Sequence, residues 1–194
     1  MINSAIALVN GIGINRINHE LLDDLTILTV GPQLRGGANV KKGAVGITEV
    51  FQAIQKIVEH AAIESNARKI LIKNAAGRKV LIQFAPDPDI VIKEEISVNR
   101  TRNIIAIEVK GGTDFSNIHN GVGEAEKSHQ KAKASGYVQC WTVVNVDNID
   151  KKMAKRESPS TNTFYRLSAL KREEGEEYQD FKENVISLTG IQSK

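Results

Sequence analysis

Two short runs constrain this chain more than anything else in it. Ile90-Val91-Ile92 and Ile104-Ile105-Ala106-Ile107 are apolar at every position. Successive side chains of a strand point to opposite faces, so a half-exposed strand alternates apolar and polar residues. A strand that is apolar on both faces is covered on both faces, as the central strands of a layered α/β sheet are. Charge stands at the ends of these two strands. Asp89 precedes the first, Glu108-Val109-Lys110 follows the second, and Gly111-Gly112 ends it.

The rest of the chain supplies what such a sheet needs. Ile47, Val50, Phe51, Ile54, Ile57, Val58 and Ala61 recur at helical spacing, which predicts an amphipathic helix over 47–64. Lys69–Lys73 and Lys79–Phe84 read as short strands around an Ala75-Ala76-Gly77-Arg78 turn. Asp89–Lys93 and Asn103–Lys110 are the strongest strands. A helix capped by Ser116 or Asn117 runs to about Ala134 and is terminated by Gly136. Val138–Val146 is a further strand, 151–162 a polar basic loop, Phe164–Leu170 a strand and Glu176–Leu188 a closing helix. The first 45 residues are glycine-rich, with a short helix expected over His19–Leu28. The order predicts an α/β sandwich with a mixed central sheet flanked by helices. The expected organisation is one domain over 1–194 with its core at about 47–146. The flanks 1–46 and 147–194 are peripheral candidates for DNA recognition or dimerisation.

Bulk composition narrows the function classes. The 194 residues are 41% hydrophobic and 25% charged, ordinary for a globular protein. A net charge of +3 permits nucleic-acid binding without arguing for it. The single cysteine, Cys140, excludes an intrachain disulfide or zinc cluster and reads as a packed thiol. No signal peptide or membrane span is visible, so the expected compartment is the cytoplasm.

The chemistry lies at Asp89, Glu108 and Lys110. Glu108 and Lys110 are two apart and share a face, while Ile107 and Val109 take the other. If 89–93 and 103–110 form an antiparallel hairpin, pairing Asp89 with Glu108 places the turn between Val98 and Asn99, inside the polar segment 97–102. The two carboxylates then stand ~5 Å apart at Cβ. Like charges so placed repel, and a hard divalent cation reverses that balance. Two carboxylates, a main-chain carbonyl and waters make an octahedral oxygen site suited to Mg²⁺. Lys110 beside it can orient or deprotonate a water and stabilise charge on a phosphate. Acid-x-Lys triplets also occur at Asp150 and Asp180, but only Glu108-Val109-Lys110 lies in an apolar strand. Asp87 competes with Asp89, because Pro86-Asp87 repeats the Pro88-Asp89 pattern.

Pro88-Asp89-Ile90-Val91-Ile92 with Glu108-Val109-Lys110 resembles the PD-(D/E)xK nuclease superfamily. The tract Glu108–Asn117, followed by Asn120–Ala132, resembles type II restriction endonucleases of the XcyI family, best over about 47–146. The resemblance implies that Asp89 and Glu108 bind Mg²⁺ with the Val109 carbonyl, and that Lys110 serves the water nucleophile. It also implies products with 5′-phosphate and 3′-hydroxyl ends. A chain of this length is then a compact relative or a separate domain of such an enzyme.

Other residues carry two readings each. Arg35, Lys41 and Lys42 form a basic loop able to contact phosphate or guanine, or simply a solvated loop. Lys151, Lys152, Lys155 and Arg156 are similar. Asp114, Ser116 and Asn117 suit DNA contact or helix capping. Glu49 reads as a solvent-facing acid near a helix start, where some family members carry an extra metal-binding acid. Glu124, Lys127 and His129 read as helix surface, and Trp141 as core.

The leading reading is a site-specific Mg²⁺-dependent endonuclease acting on double-stranded DNA as a homodimer, with a cognate methyltransferase beside it. A repair or junction-resolving nuclease on the same fold, and a non-catalytic DNA-binding module, are the alternatives.

Overall fold

In the computed structural model the chain divides into two compact units, Met1–Lys41 and Lys42–Lys194. The structure describes residues 43–112 and 118–193, with Gly11, Asn18 and His19. Apart from His19, the helix expected over His19–Leu28 lies outside that set, as do the Ser116 and Asn117 caps.

The second unit is built on a seven-stranded sheet whose spatial order follows the sequence. The strands are β1 (Ala62–Ser65), β2 (Lys69–Lys73), β3 (Lys79–Phe84), β4 (Ile90–Ser97), β5 (Arg100–Lys110), β6 (Gln139–Val144) and β7 (Thr163–Arg166). β1 to β5 are antiparallel neighbours, and β6 and β7 add in parallel. Parallel pairing needs a crossover, which α2 (Ile118–Ala134) and α3 (Lys151–Glu157) supply. The expected mixed sheet flanked by helices is the fold observed.

Each face of the sheet has its own core. On one side α1 (43–58) lays Val50, Phe51, Ile54, Ile57 and Val58 against Ile90, Ile92, Ile105, Ile107 and Val109. α4 (Leu167–Arg172) and α5 (Glu176–Thr189) complete that layer. There Trp141, Tyr165 and Phe181 pack at ring-centroid distances of 5.1 to 5.6 Å. On the other side α2 and α3 cover Val144, Phe164, Ala106 and Cys140. Trp141 and Cys140 are thus core residues, as expected. Among the described residues no helix is long and apolar enough to cross a membrane.

Three expectations are corrected. The first helix stops at 58, and a 3-10 turn (Glu59–Ala61) leads into β1 instead of continuing to 64. Every β1 side chain is exposed, so this edge strand is set by backbone pairing and leaves no apolar alternation to read. The 151–162 loop contains α3, capped by Asp150 Oδ1, which accepts from Lys152 N at 2.9 Å and Met153 N at 3.1 Å. Only Ala154 of that helix is buried, too little for a helical pattern to show. The strand expected over 164–170 ends at Arg166, because Leu167, Ala169 and Leu170 are buried as one face of α4.

α2 also departs from the reading of His129 as helix surface. Glu126 and His129 are buried. Glu126 accepts from Gln130 Nε2 (2.8 Å), Ser158 Oγ (2.9 Å), Ser160 N (2.9 Å) and Ser160 Oγ (2.8 Å). Burial works against its charge, but these donors hold the carboxyl below the ordinary range. Glu126→Ala leaves those donors unpaired in a closed space. The expected loss is about 2–4 kcal/mol by urea unfolding, with Glu126→Gln recovering part of it. A loss within error of zero would show that this network does not hold α2 to the 158–161 turn.

Candidate active site

β4 and β5 meet in the register that matters. Ile90 pairs with Ile107, Val91 with Ala106 and Ile92 with Ile105. Continued by one step, the ladder sets Asp89 opposite Glu108. The turn is the two residues Val98 and Asn99, with Ser97 paired to Arg100 and Asn99 in the left-handed region at φ 63°. Farther from the site the ladder slips at Ile92/Lys93, leaving Ile104 unpaired. That bulge turns both Ile104 and Ile105 into the same core.

β5 runs on to Lys110, past the start of β4 at Ile90. The Val109 N–H donates to Asp89 Oδ2 at 2.8 Å in place of a ladder bond. This fixes the Asp89 carboxylate beside the centre of the Glu-Val-Lys triplet. Glu108 is 8% exposed and faces α2, as does Lys110. Val109 takes the opposite face, in the α1 core. Lys110 Nζ donates to Glu108 Oε1 at 3.0 Å and reaches Glu124 Oε2 at 3.4 Å. Gly121 of α2 lies against its stem: a methyl there would sit 3.5 Å from Lys110 Cγ.

Asp87 goes elsewhere. Its Oδ2 accepts from Lys131 Nζ of α2 at 2.6 Å, and that bond, with one from Ser128, holds its carboxyl below the ordinary range. Glu49 is paired with Lys171 of α4 at 2.6 Å. Arg35, Lys41, Lys42, Asp114, Ser116 and Asn117 lie outside the described residues. Glu124 is the neighbour that sequence reading assigned to helix surface. It is exposed, yet its carboxylate is within reach of the lysine. No spacing rule reveals that, because the direction of α2 over β5 is a tertiary fact.

The electrostatics of the pair are unusual. Burial, then the Glu108 charge, push the Asp89 carboxyl up to about 6. Burial pulls Lys110 down, but the Glu108 and Glu124 carboxylates outweigh it and hold the amine above its ordinary value. Below this layer Thr142, paired with Glu108 across β5 and β6, lies 2.9 Å from His129 Nε2. Burial pushes that imidazole down to about 4, so the floor beneath Glu108 is neutral.

A family model described as XcyI restriction endonuclease matches residues 1–192. The chain belongs to the XcyI restriction endonuclease family. It is 59% identical over 187 residues to the type II restriction enzyme Cfr9I of Citrobacter freundii, covering 96% of this chain and 57% of that protein. It is 58% identical over 191 residues to the type II restriction enzyme XcyI of Xanthomonas campestris pv. cyanopsidis, covering 98% of this chain and 57% of that protein. The chain therefore spans little more than half the length of these relatives. No solved structure matches it.

The donor set in this family member suits a hard cation. Asp89 Oδ1 and Glu108 Oε2 have no hydrogen-bond partner among the described residues. The two carboxylates repel, the Glu108 charge helping to push the Asp89 carboxyl up, and Lys110 offsets only part of that. Among the described residues no group of three or more Asp, Glu, His or Cys side chains is placed to hold an ion. The Val109 carbonyl and water would have to complete an octahedron around Mg²⁺.

The raised Asp89 value makes a stability prediction. It lies above the ordinary 3.8, so the folded chain keeps its proton to higher pH than the unfolded chain does. Stability of the metal-free protein is therefore lost as pH climbs from about 4 through about 6. Asp89→Asn keeps an oxygen for the Val109 N–H and removes the charge. It should raise metal-free stability by about 1–3 kcal/mol at about pH 7, and abolish any rise in melting temperature caused by Mg²⁺. A variant less stable than the parent in EDTA would contradict this account.

Proposed function

We propose that this chain carries the catalytic domain of a type II restriction endonuclease. It would hydrolyse phosphodiester bonds of double-stranded DNA at a short specific site, with Mg²⁺, leaving 5′-phosphate and 3′-hydroxyl ends. The observation that carries the proposal is the single sheet face on which Asp89, Glu108 and Lys110 meet at the β4–β5 register. Membership of the XcyI family supports the substrate and the reaction class.

The roles follow from the geometry. Asp89 and Glu108, with the Val109 carbonyl, would hold Mg²⁺. That ion supplies Lewis-acid stabilisation of charge on the phosphate oxygens. Lys110 stays protonated between its two acids, so it acts as a cation and hydrogen-bond donor. It orients the attacking water and stabilises the negative charge that builds on the phosphate. Water adds at phosphorus and releases a proton to solvent, the bond to the 3′ oxygen breaks, that oxygen takes up a proton from solvent, and the phosphate remains on the 5′ side. The Asp89–Val109 bond keeps one ligand from swinging when DNA arrives. A palindromic site is read by a two-fold dimer, so the working form we propose is a homodimer in the cytoplasm. A methyltransferase of the same specificity protects the host.

Two measurements test this. Plasmid DNA incubated with the protein and Mg²⁺ should give discrete fragments, and EDTA should stop the reaction. Lys110→Ala should slow cleavage by roughly 10²–10³-fold, as loss of one stabilising donor does. Equal cleavage by the variant and the parent would remove Lys110 from the mechanism. The pH profile should fall on the acid side near the Asp89 value of about 6. Protons and Mg²⁺ compete for that carboxylate, so raising Mg²⁺ should shift this limb to lower pH. A limb that ignores Mg²⁺ concentration would mean that Asp89 is not a ligand.

A further inference from the structure

The face bearing Asp89, Glu108 and Lys110 does not end at them. Alternation along β4 puts Lys93 and Glu95 on the same face as Asp89. The ladder carries that face from Lys93 to Leu81 on β3 and on to Leu71 of β2. α2 and α3 cover the β5–β7 half of this face, whereas among the described residues the β2–β4 half is a shallow open depression of about 440 Å³.

Its charge is one-sided. Lys69, Lys79, Lys93 and Arg100 line it against the single acid Glu95. Lys69 is shared with Glu64 at 3.3 Å. Lys79, Lys93 and Arg100 have no carboxylate partner among the described residues. Lys93 instead stands 5.9 Å over the Tyr137 ring. Lysine is depleted at protein–protein interfaces. A second copy docked two-fold on this patch would bring the same cations together. A polyanion meets neither objection.

We propose that this open half of the face binds the sugar–phosphate backbone of duplex DNA flanking the cleavage site, in a sequence-independent contact. The proposal rests on the nuclease reading of Asp89, Glu108 and Lys110. Lys93 lies four strand steps from Asp89, ~13 Å at strand rise, which is about four base pairs of duplex. The contact thus falls beside the bond being cut, and it adds affinity without adding specificity.

The test is the salt dependence of binding to a long mixed-sequence duplex in EDTA. The triple variant Lys79→Ala/Lys93→Ala/Arg100→Ala should lower the slope of log affinity against log salt by about 2–3. It should loosen cognate and unrelated duplexes by the same factor, and leave single-turnover cleavage at saturating protein unchanged. Lys79→Arg/Lys93→Arg, which keeps both charges, should retain the parental slope. That pair, with melting temperatures, separates lost contacts from misfolding. A triple variant with the parental slope overturns the proposal, and so does a parent that binds no duplex. Loss of self-association in the triple variant, measured by sedimentation, would assign the face to a second copy or an acidic protein segment and overturn it as well. The two readings fail separately. A parent that cuts DNA while the slope stays fixed sinks the surface alone. A parent that binds with the full slope yet cuts nothing sinks the nuclease reading alone.

Discussion

The hydrogen bond from Val109 N–H to Asp89 Oδ2, 2.8 Å long, is the constraint on which the candidate site depends. It exists because β5 is longer than β4 at this end of the hairpin. A strand that outruns its neighbour leaves backbone donors without a ladder partner, and a buried donor has to be satisfied. Here a side chain that is also a candidate metal ligand satisfies it. Register does the rest: a slip of one residue would send Glu108 and Lys110 to the α1 side and Val109 to the α2 side. The Ile104 bulge lies beyond the paired stretch from Ile90 to Ile92, so the hairpin can twist there without disturbing the ladder next to Asp89.

Electrostatics set the second layer. Two carboxylates in one partly buried place destabilise the fold unless a cation joins them, and Lys110 answers only part of the need. The layer under the pair is a hydrogen-bonded polar network. His129 is kept uncharged against Thr142, and Glu126 spends its charge on Ser158, Ser160 and Gln130. The position of α2 is thereby fixed by a polar network on its buried side, while Gly121 and Glu124 face Lys110. A site that works by positioning gains from a rigid second layer of this sort.

The parts legible in the sequence are those with a short-range cause. The covered strands announced themselves because Ile90-Val91-Ile92 and Ile104–Ile107 are apolar on both faces, and both lie in the buried interior. The hairpin turn followed from polar residues and an index sum. What the sequence hid has a tertiary cause. β1 is held by pairing to β2 with every side chain in solvent. α3 buries one alanine. Glu126 and His129 carry polar side chains, so a helical wheel assigns them to water. Their burial depends on Ser158 to Thr161 folding back over α2. The approach of Glu124 to Lys110 is of the same kind. Arg35, Lys41, Lys42, Asp114, Ser116 and Asn117, from which DNA contacts are expected, fall outside the described residues.

These differences also explain why chemistry was easier to read than specificity. The three candidate catalytic residues come from two adjacent strands joined by a two-residue turn, a local object whose geometry a register argument can fix. Reading a DNA sequence requires side chains delivered to base edges from elements that enter a groove, and in a dimer from two copies at a set spacing. That geometry is global. It involves loops without periodicity, and this chain covers 57% of the length of the relatives it matches. A phosphate-binding face needs only charge on a surface of the right curvature. It should therefore be the one element of DNA recognition that a sheet of this kind can present without those loops, and the Lys79, Lys93 and Arg100 surface is where this sheet has the charge and the open area for it.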